Sequence, residues 1–226
     1  MEARKRLVIV SILVLAAMLA ASAWAWIVLP QGARVPIHWD SATHVDNYAG
    51  KAVGLLTPPF IVALVTLLFY FLPRIEPRRA HLMSSSKLYG TSWLGVLALM
   101  AAAHAHVVLT ATGLYEGPIQ FPIAVLGVFL IVFGNYLGKS RSNFFIGIRT
   151  PWTLSSELSW QKTHRLAGRL FVVEGIAMVL AALAVPALVP PVASGLVGIV
   201  VIVVVYSFFV WRSDPARGSK TKTVAG

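Results

Sequence analysis

Cysteine is absent from this chain of 226 residues, which removes disulfides, thiolate catalysis and cysteine-ligated metals from its chemistry. Acid is scarce, with 8 Asp and Glu against 19 Lys and Arg. Charged residues of both signs make up only 12% of the chain, hydrophobic residues make up 58%, and the mean hydropathy is +0.78. A water-soluble globule of this size needs more polar surface than that, so the chain belongs in a bilayer. Also missing are any HExxH or GxSxG sequence and any phosphate-cradling glycine loop, leaving no recognised nucleophile or base constellation. The formal charge of +11 would suit a nucleic-acid binder only if the basic residues clustered on a soluble face. They punctuate apolar runs instead, which speaks against direct nucleic-acid binding.

Crossing about 30 Å of hydrocarbon takes about 20 apolar residues. Runs of that kind occupy residues 7–29, 53–72, 88–112, 119–137, 166–185 and 192–211, predicting an all-α integral membrane protein with six transmembrane helices. The opening MEARKR and the apolar run after it imitate a signal peptide. That run exceeds the roughly 7–15 residues of a signal's apolar region, so an uncleaved first helix is expected. Arg34 and Lys51 are the only basic residues on one predicted side, and the other 17 of the 19, including Arg217, Lys220 and Lys222 of the tail, lie on the opposite side. Cytoplasmic connections hold the positive excess, which puts both termini in the cytoplasm. Trp24, Trp26, Tyr115, Trp152, Trp160 and Trp211 fall at the depths where aromatic belts form. The tail SKTKTVAG reads as a disordered cationic end near anionic lipid.

Two connections are long enough to carry chemistry. The outer one, residues 30–52, contains PQGARVPIHWDSATHVDNYAGK. Pro36, Ile37, His38 and Trp39 should be extended, and with the turn-forming residues after them they predict a small strand-and-turn cap on the bundle. His38, Asp40, His44 and Asp46 supply imidazoles and carboxylates, the atoms of a zinc or similar divalent-metal site, in a spacing that matches no established ligand signature. The competing expectation is that His38 and Asp46 hydrogen-bond to order the cap. His104 and His106 lie in the outer half of the third span and complete a candidate metal set with His38 and Asp46. Being two apart on a helix, they point roughly 200° from each other, so one ion cannot easily take both. The alternative leaves one bonded to a neighbouring helix and the other at the interface. Glu174 is a lone carboxylate inside the fifth span, which calls for a proton or a partner. Asn135, Arg169 and His164 are the candidate partners, in either a structural bond between helices or a relay.

The inner connection is NFFIGIRTPWTLSSELSWQKTHRLAGRLF, residues 143–171. Thr150 and Pro151 suit a helix start, hydroxyl as cap and proline at the first helical position. Trp160, His164, Ala167 and Phe171 then form a stripe bordered by Lys162, Arg165 and Arg169, predicting an amphipathic cytoplasmic helix that lies in the interface and turns into the fifth span at Gly168.

This inner segment resembles the signature of the SdpI family of bacterial membrane proteins. The outer segment is similar to the extracytoplasmic P-x-H-W/F domain of the family's longer members, apart from Thr43 and His44, where the family often has a glycine before the acidic residue. The resemblance implies residues 1–73 as the first two spans with outer loop 30–52, and residues 74–226 as a four-span region with cytoplasmic motif 139–169. It implies a non-enzymatic immunity and signalling protein of the bacterial inner membrane, giving resistance to a secreted peptide toxin outside and holding a repressor protein inside. Asn143, Gly147, Arg149, Thr150, Pro151, Trp152, Thr153, Trp160, Thr163, His164, Arg165 and Gly168 are then the partner-binding residues, and Arg149, Trp152, Thr163, His164 and Arg165 are expected to form one cytoplasmic site. Two other readings of the residues stay open: a metal-dependent intramembrane hydrolase using His38, Asp46 and one of His104 or His106, and a small proton-coupled transporter using Glu174.

Overall fold

The computed structural model describes residues 2–40, 44–117 and 119–216; Thr43, Arg217 and the tail lie outside them. Among the described residues, six helices are long and apolar enough to cross a membrane. They are α1 (Glu2–Val28), α2 (Lys51–Ile75), α4 (Ser86–Ala111), α5 (Gln120–Leu137), α7 (Glu157–Ala184) and α8 (Val189–Arg212). Short helices α3 (Arg79–Ser84) and α6 (Pro151–Ser155) sit in connections, and a 3₁₀ turn at Pro186–Leu188 leads into α8. The expected cap is a hairpin of β1 (Arg34–Trp39) and β2 (Val45–Gly50), paired antiparallel with a register shift around His38. The sequence foretold β1. The second strand runs through residues read as turn formers.

Helices α1, α2 and α4 pack on one another beneath the hairpin, and α4 hands on to a row formed by α5, α7 and α8. Prolines inside α2 shape the first group. Pro59 has no N–H to give the Leu55 carbonyl one turn back, and Pro73 likewise leaves Phe69 unserved. In hydrocarbon such a carbonyl needs another donor. Ser22 of α1 donates to Leu55 at 2.8 Å, and Tyr89 of α4 donates to Phe69 at 2.6 Å. The breaks at Pro59 and Pro73 are thereby mended by neighbours, which fixes how the helices meet. Lys51, opening α2, sends its ammonium back to the Trp26 and Leu29 carbonyls at 2.7 and 2.8 Å, a cation closing the end of α1.

The α5–α7 contact is the most extensive in the protein. Its seam is glycine. A Cβ on Gly134 would come within 2.6 Å of the Gly168 carbonyl oxygen, and one on Gly175 within 2.4 Å of the Gly127 carbonyl oxygen. Small residues let two helices approach by their backbones, the usual basis of tight packing in lipid. This corrects the amphipathic helix expected before the fifth span. There is no turn at Gly168: α7 is continuous from Glu157 to Ala184, because that glycine serves the seam. The helix start lies earlier, where Ser156 caps the chain by accepting the Ser159 N–H.

Candidate functional site

At the end of the bundle opposite the hairpin, residues 139–156 fold into a knot of buried polar groups. Asn143 is fully buried and uses its whole amide. Its Nδ2 donates to the Arg141 and Ile146 carbonyls at 3.0 and 3.1 Å, and its Oδ1 accepts from the Phe145 and Ile146 N–H groups at 3.1 and 2.8 Å. Thr150 and Thr153 form the capping box of α6 around Pro151, and the Thr153 hydroxyl also donates to the Ile148 carbonyl at 2.8 Å. Helix start and proline are as the sequence indicated. Gly147 has φ +120°, and a Cβ there would stand 2.4 Å from His164 Nε2, so the position admits glycine alone.

His164 is the hub. Its imidazole is fully buried and stacks on Trp160 at 3.9 Å. The Ile148 N–H donates to Nε2 at 3.0 Å, so that nitrogen must offer a lone pair, and Nδ1 then carries the proton it donates to the Trp160 carbonyl at 2.7 Å. The ring is thereby fixed neutral in one tautomer. Trp160 Nε1 donates to the Ser140 carbonyl at 3.1 Å.

Sequence reasoning missed the other half of the knot. Glu76, only 4% exposed, accepts the Arg78 and Phe144 N–H groups at 2.8 and 3.0 Å. Arg78 donates to the Ser142 hydroxyl and, at 3.0 Å, to the Leu154 carbonyl, with its guanidinium 4.8 Å over Phe144. His81 donates to the Ser142 carbonyl at 2.8 Å. The available signal was the single acid in RIEPRR immediately after the second span. Helix α8 closes the far side. Trp152 donates to Ser207, the Ser159 hydroxyl donates to the Ser207 carbonyl at 2.8 Å, and Ser156 donates to Asp214. The Ser156 hydroxyl, with the Ala216 N–H behind it, holds the Asp214 carboxyl below the usual carboxylate range.

The residues expected to form one cytoplasmic site differ in burial. Thr163 and His164 are fully buried, Trp152 is half-buried against α8, and Arg149 is exposed, donating to the Phe144 carbonyl at 2.7 Å. Arg165 and Gly168 face α5, where a Cβ on Gly138 would lie 3.2 Å from Arg165 Cα. Glu174 meets none of its expected partners. Its carboxylate lies against Gly195 of α8, with Oε1 buried and without a hydrogen bond, and Asn135 is exposed on α5.

At the hairpin end the structure opens a cleft of about 670 Å³. Ile37, His38, Trp39 and Asp40 of β1 and the residue after it form one wall, Pro58 and Ile61 of α2 and Met100, Ala103, His104 and Val107 of α4 the floor, and Val189, Pro190, Ala193 and Ser194 of α8 the opposite wall. The lining is mostly apolar. On the lip, His38 Nδ1 meets Asp46 Oδ1 at 2.6 Å, both side chains partly exposed, and the His44 N–H donates to Asp40 at 2.8 Å. His104 belongs to the proline repair of α2. The Ser22 hydroxyl proton goes to Leu55, so the 3.1 Å contact between Ser22 and His104 Nε2 has the histidine as donor, and that N–H also points at the Met18 carbonyl at 3.2 Å. The His106 ring sits between Trp39 at 4.9 Å and Tyr115 at 5.5 Å. Among the described residues no three His, Asp or Glu side chains converge as they would to hold a metal.

Residues 139–211 match the SdpI/YfhL protein family, and residues 13–63 match a domain of unknown function, DUF1648. The immunity protein SdpI of Bacillus subtilis (strain 168) is 29% identical over 170 residues, covering 74% of this chain and 77% of that protein. No solved structure gives a significant match.

Proposed function

Because the chain belongs to the SdpI/YfhL family, we propose that it is an immunity protein that protects a bacterial membrane from a secreted antimicrobial peptide. It is a multi-pass membrane protein of a bacterium and the lipid bilayer is its constant partner. The observation that carries the finer reading is the hairpin-end cleft. Its volume of about 670 Å³ lies in the range of ligand pockets, roughly 300–1,000 Å³, and like them it joins apolar walls to a few convergent polar groups. Apolar side chains of a peptide would enter between β1, α4 and α8, with Asp40, Asp46 and His38 on the lip meeting its polar backbone or basic groups. Of the 16 described basic residues, all but Arg34 and Lys51 lie at the other end, which supports an extracytoplasmic hairpin.

The same reading gives the two ends a physical link. Helix α8 lines the cleft at Val189–Ser194 and, about 20 Å along the helix, holds the knot through Ser207. A peptide that favours one position of α8 would bias the α6–α7 junction, and with it a cytoplasmic repressor held near Arg149 and Trp152. In this scheme residues 1–73 bring the hairpin wall of the cleft, and residues 74–226 bring its α4 floor and α8 wall and carry the transmission.

The test is survival of susceptible cells in culture supernatant of Bacillus subtilis 168, with that organism's immunity protein as positive control and membrane levels equalised by blot. Wild-type protein should protect, and His38→Ala and Ala193→Trp, the latter filling the cleft, should not. Arg149→Ala should protect while losing capture of the repressor. Failure of well-expressed wild type where the control protects removes immunity to that peptide.

A further inference from the structure

On the lipid-facing side of α5 and α7 a groove of about 540 Å³ opens near the knot, lined by Gly134, Asn135, Gly138 and Lys139 of α5 and its C-terminal end and by Arg165, Gly168, Arg169, Val172 and Val173 of α7. Three cations and no acid line it. The ion pairs found among the described residues involve none of the three. Arg165 and Arg169 lie one turn apart on the same face, and Lys139 stands across from them at the end of α5. The glycines that bring the helices together are also what hollows the surface, since no side chain fills it at 134, 138 or 168.

The groove has a direction. Its polar end, with Lys139 and Arg165, lies at the end of the bundle where α5 finishes and α7 begins. Val172 and Val173 lie roughly 10–12 Å further into the membrane along α7. An occupant with an anionic head and an apolar body matches both ends, and the surrounding bilayer supplies one. We propose that this groove is a specific site for an anionic phospholipid, its phosphate held by Lys139, Arg165 and Arg169 with Asn135 available to its glycerol, and an acyl chain laid over Gly134 and along Val172 and Val173. The site is independent of the immunity reading. It gives Arg165 and Arg169 a task beyond the general positive excess at that end, because a hydrated cation needs no groove.

The experiment is native mass spectrometry of the full-length protein in detergent, titrated with phosphatidylglycerol or phosphatidylcholine. Wild type should retain phosphatidylglycerol selectively. Each cation neutralised, as in Arg165→Gln, should weaken it roughly fivefold, and Lys139→Gln with Arg165→Gln and Arg169→Gln together by on the order of a hundredfold. Arg212→Gln removes the same kind of charge away from the groove and should change retention little. Val173→Asp, which leaves the cations in place, should also release the lipid. Equal retention of the two lipids, or a triple variant matching Arg212→Gln, overturns the site. Displacement of phosphatidylglycerol by millimolar inorganic phosphate would show a bare anion site and overturn the lipid assignment.

Discussion

Replacing His164 by alanine removes the side chain that hydrogen-bonds the 143–150 loop to α7. The loss has two parts. Ile148 keeps a partly buried N–H with no acceptor, a cost of about 1–3 kcal/mol. The vacated ring leaves a cavity of roughly 65 Å³ against Trp160, worth about 1.5 kcal/mol at about 24 cal/mol per Å³. Together these predict a loss of about 2.5–4.5 kcal/mol, a large share of the roughly 5–15 kcal/mol that typically holds a domain folded. His164→Leu separates the parts, because it fills most of the space and offers the Ile148 N–H no acceptor, so it should recover only the cavity share, about 1.5 kcal/mol. Thermal unfolding in detergent, followed by tryptophan fluorescence as the stacked Trp160 becomes exposed, reads both variants. A His164→Ala protein with wild-type unfolding temperature refutes the hub, and a Leu variant as stable as wild type refutes the hydrogen-bond part while leaving packing.

Ser22→Ala should destabilise wild type by about 1 kcal/mol or more by orphaning the Leu55 carbonyl, and by much less in a Pro59→Ala background, where the alanine backbone supplies the missing N–H; a double-mutant cycle with no coupling rejects the repair. Gly134→Leu drives a side chain into the Gly168 carbonyl and should abolish accumulation of folded protein, whereas Gly198→Leu, where a Cβ meets nothing within 4 Å, should accumulate normally in membranes. Glu76→Ala strips an acceptor from two partly buried N–H groups and should cost about 1–3 kcal/mol in the same unfolding assay, with Glu76→Gln intermediate. A carboxylate depressed on folding adds stability above its unfolded pKa and loses it as pH falls through the folded one. The tie from Asp214 to Ser156 should therefore hold at neutral pH and fail only below the ordinary value of about 3.9, which fluorescence of Trp152 and Trp211 checks against Asp214→Asn, expected to be flat.

The six spans were legible because each is a local property, a run of apolar residues of sufficient length. Thr150 and Pro151 were legible for the same reason, since a cap acts over three residues. The knot was visible only as an unexplained density of polar residues. Its partners are distant in the chain: Glu76 reaches Phe144, Arg78 reaches Leu154, and Ser156 reaches Asp214. No periodicity encodes such pairs. The turn expected at Gly168 failed because a glycine in a helical pattern reads as a break, while its role against Gly134 depends on a helix thirty-four residues earlier. Glu174 was read as a lone carboxylate wanting a proton or a partner; the structure sets it, partly buried, beside Gly195, a residue with no side chain to announce itself.

The repair of α2 sets an order on the histories open to this chain. Pro59 can be exchanged while Ser22 is present, because alanine merely restores a bond the backbone makes unaided. Ser22 cannot leave first, since its loss strands a carbonyl in hydrocarbon. The same holds for Tyr89 and Pro73. Each pair therefore works as a latch that opens from one side only, and a lineage that shed the proline would free the hydroxyl to wander. At the glycine seam neither partner has that freedom, as any replacement at 134 or 168 meets backbone. Two parts of one bundle are thus rigid to drift in different ways, one by sequence of events and the other outright.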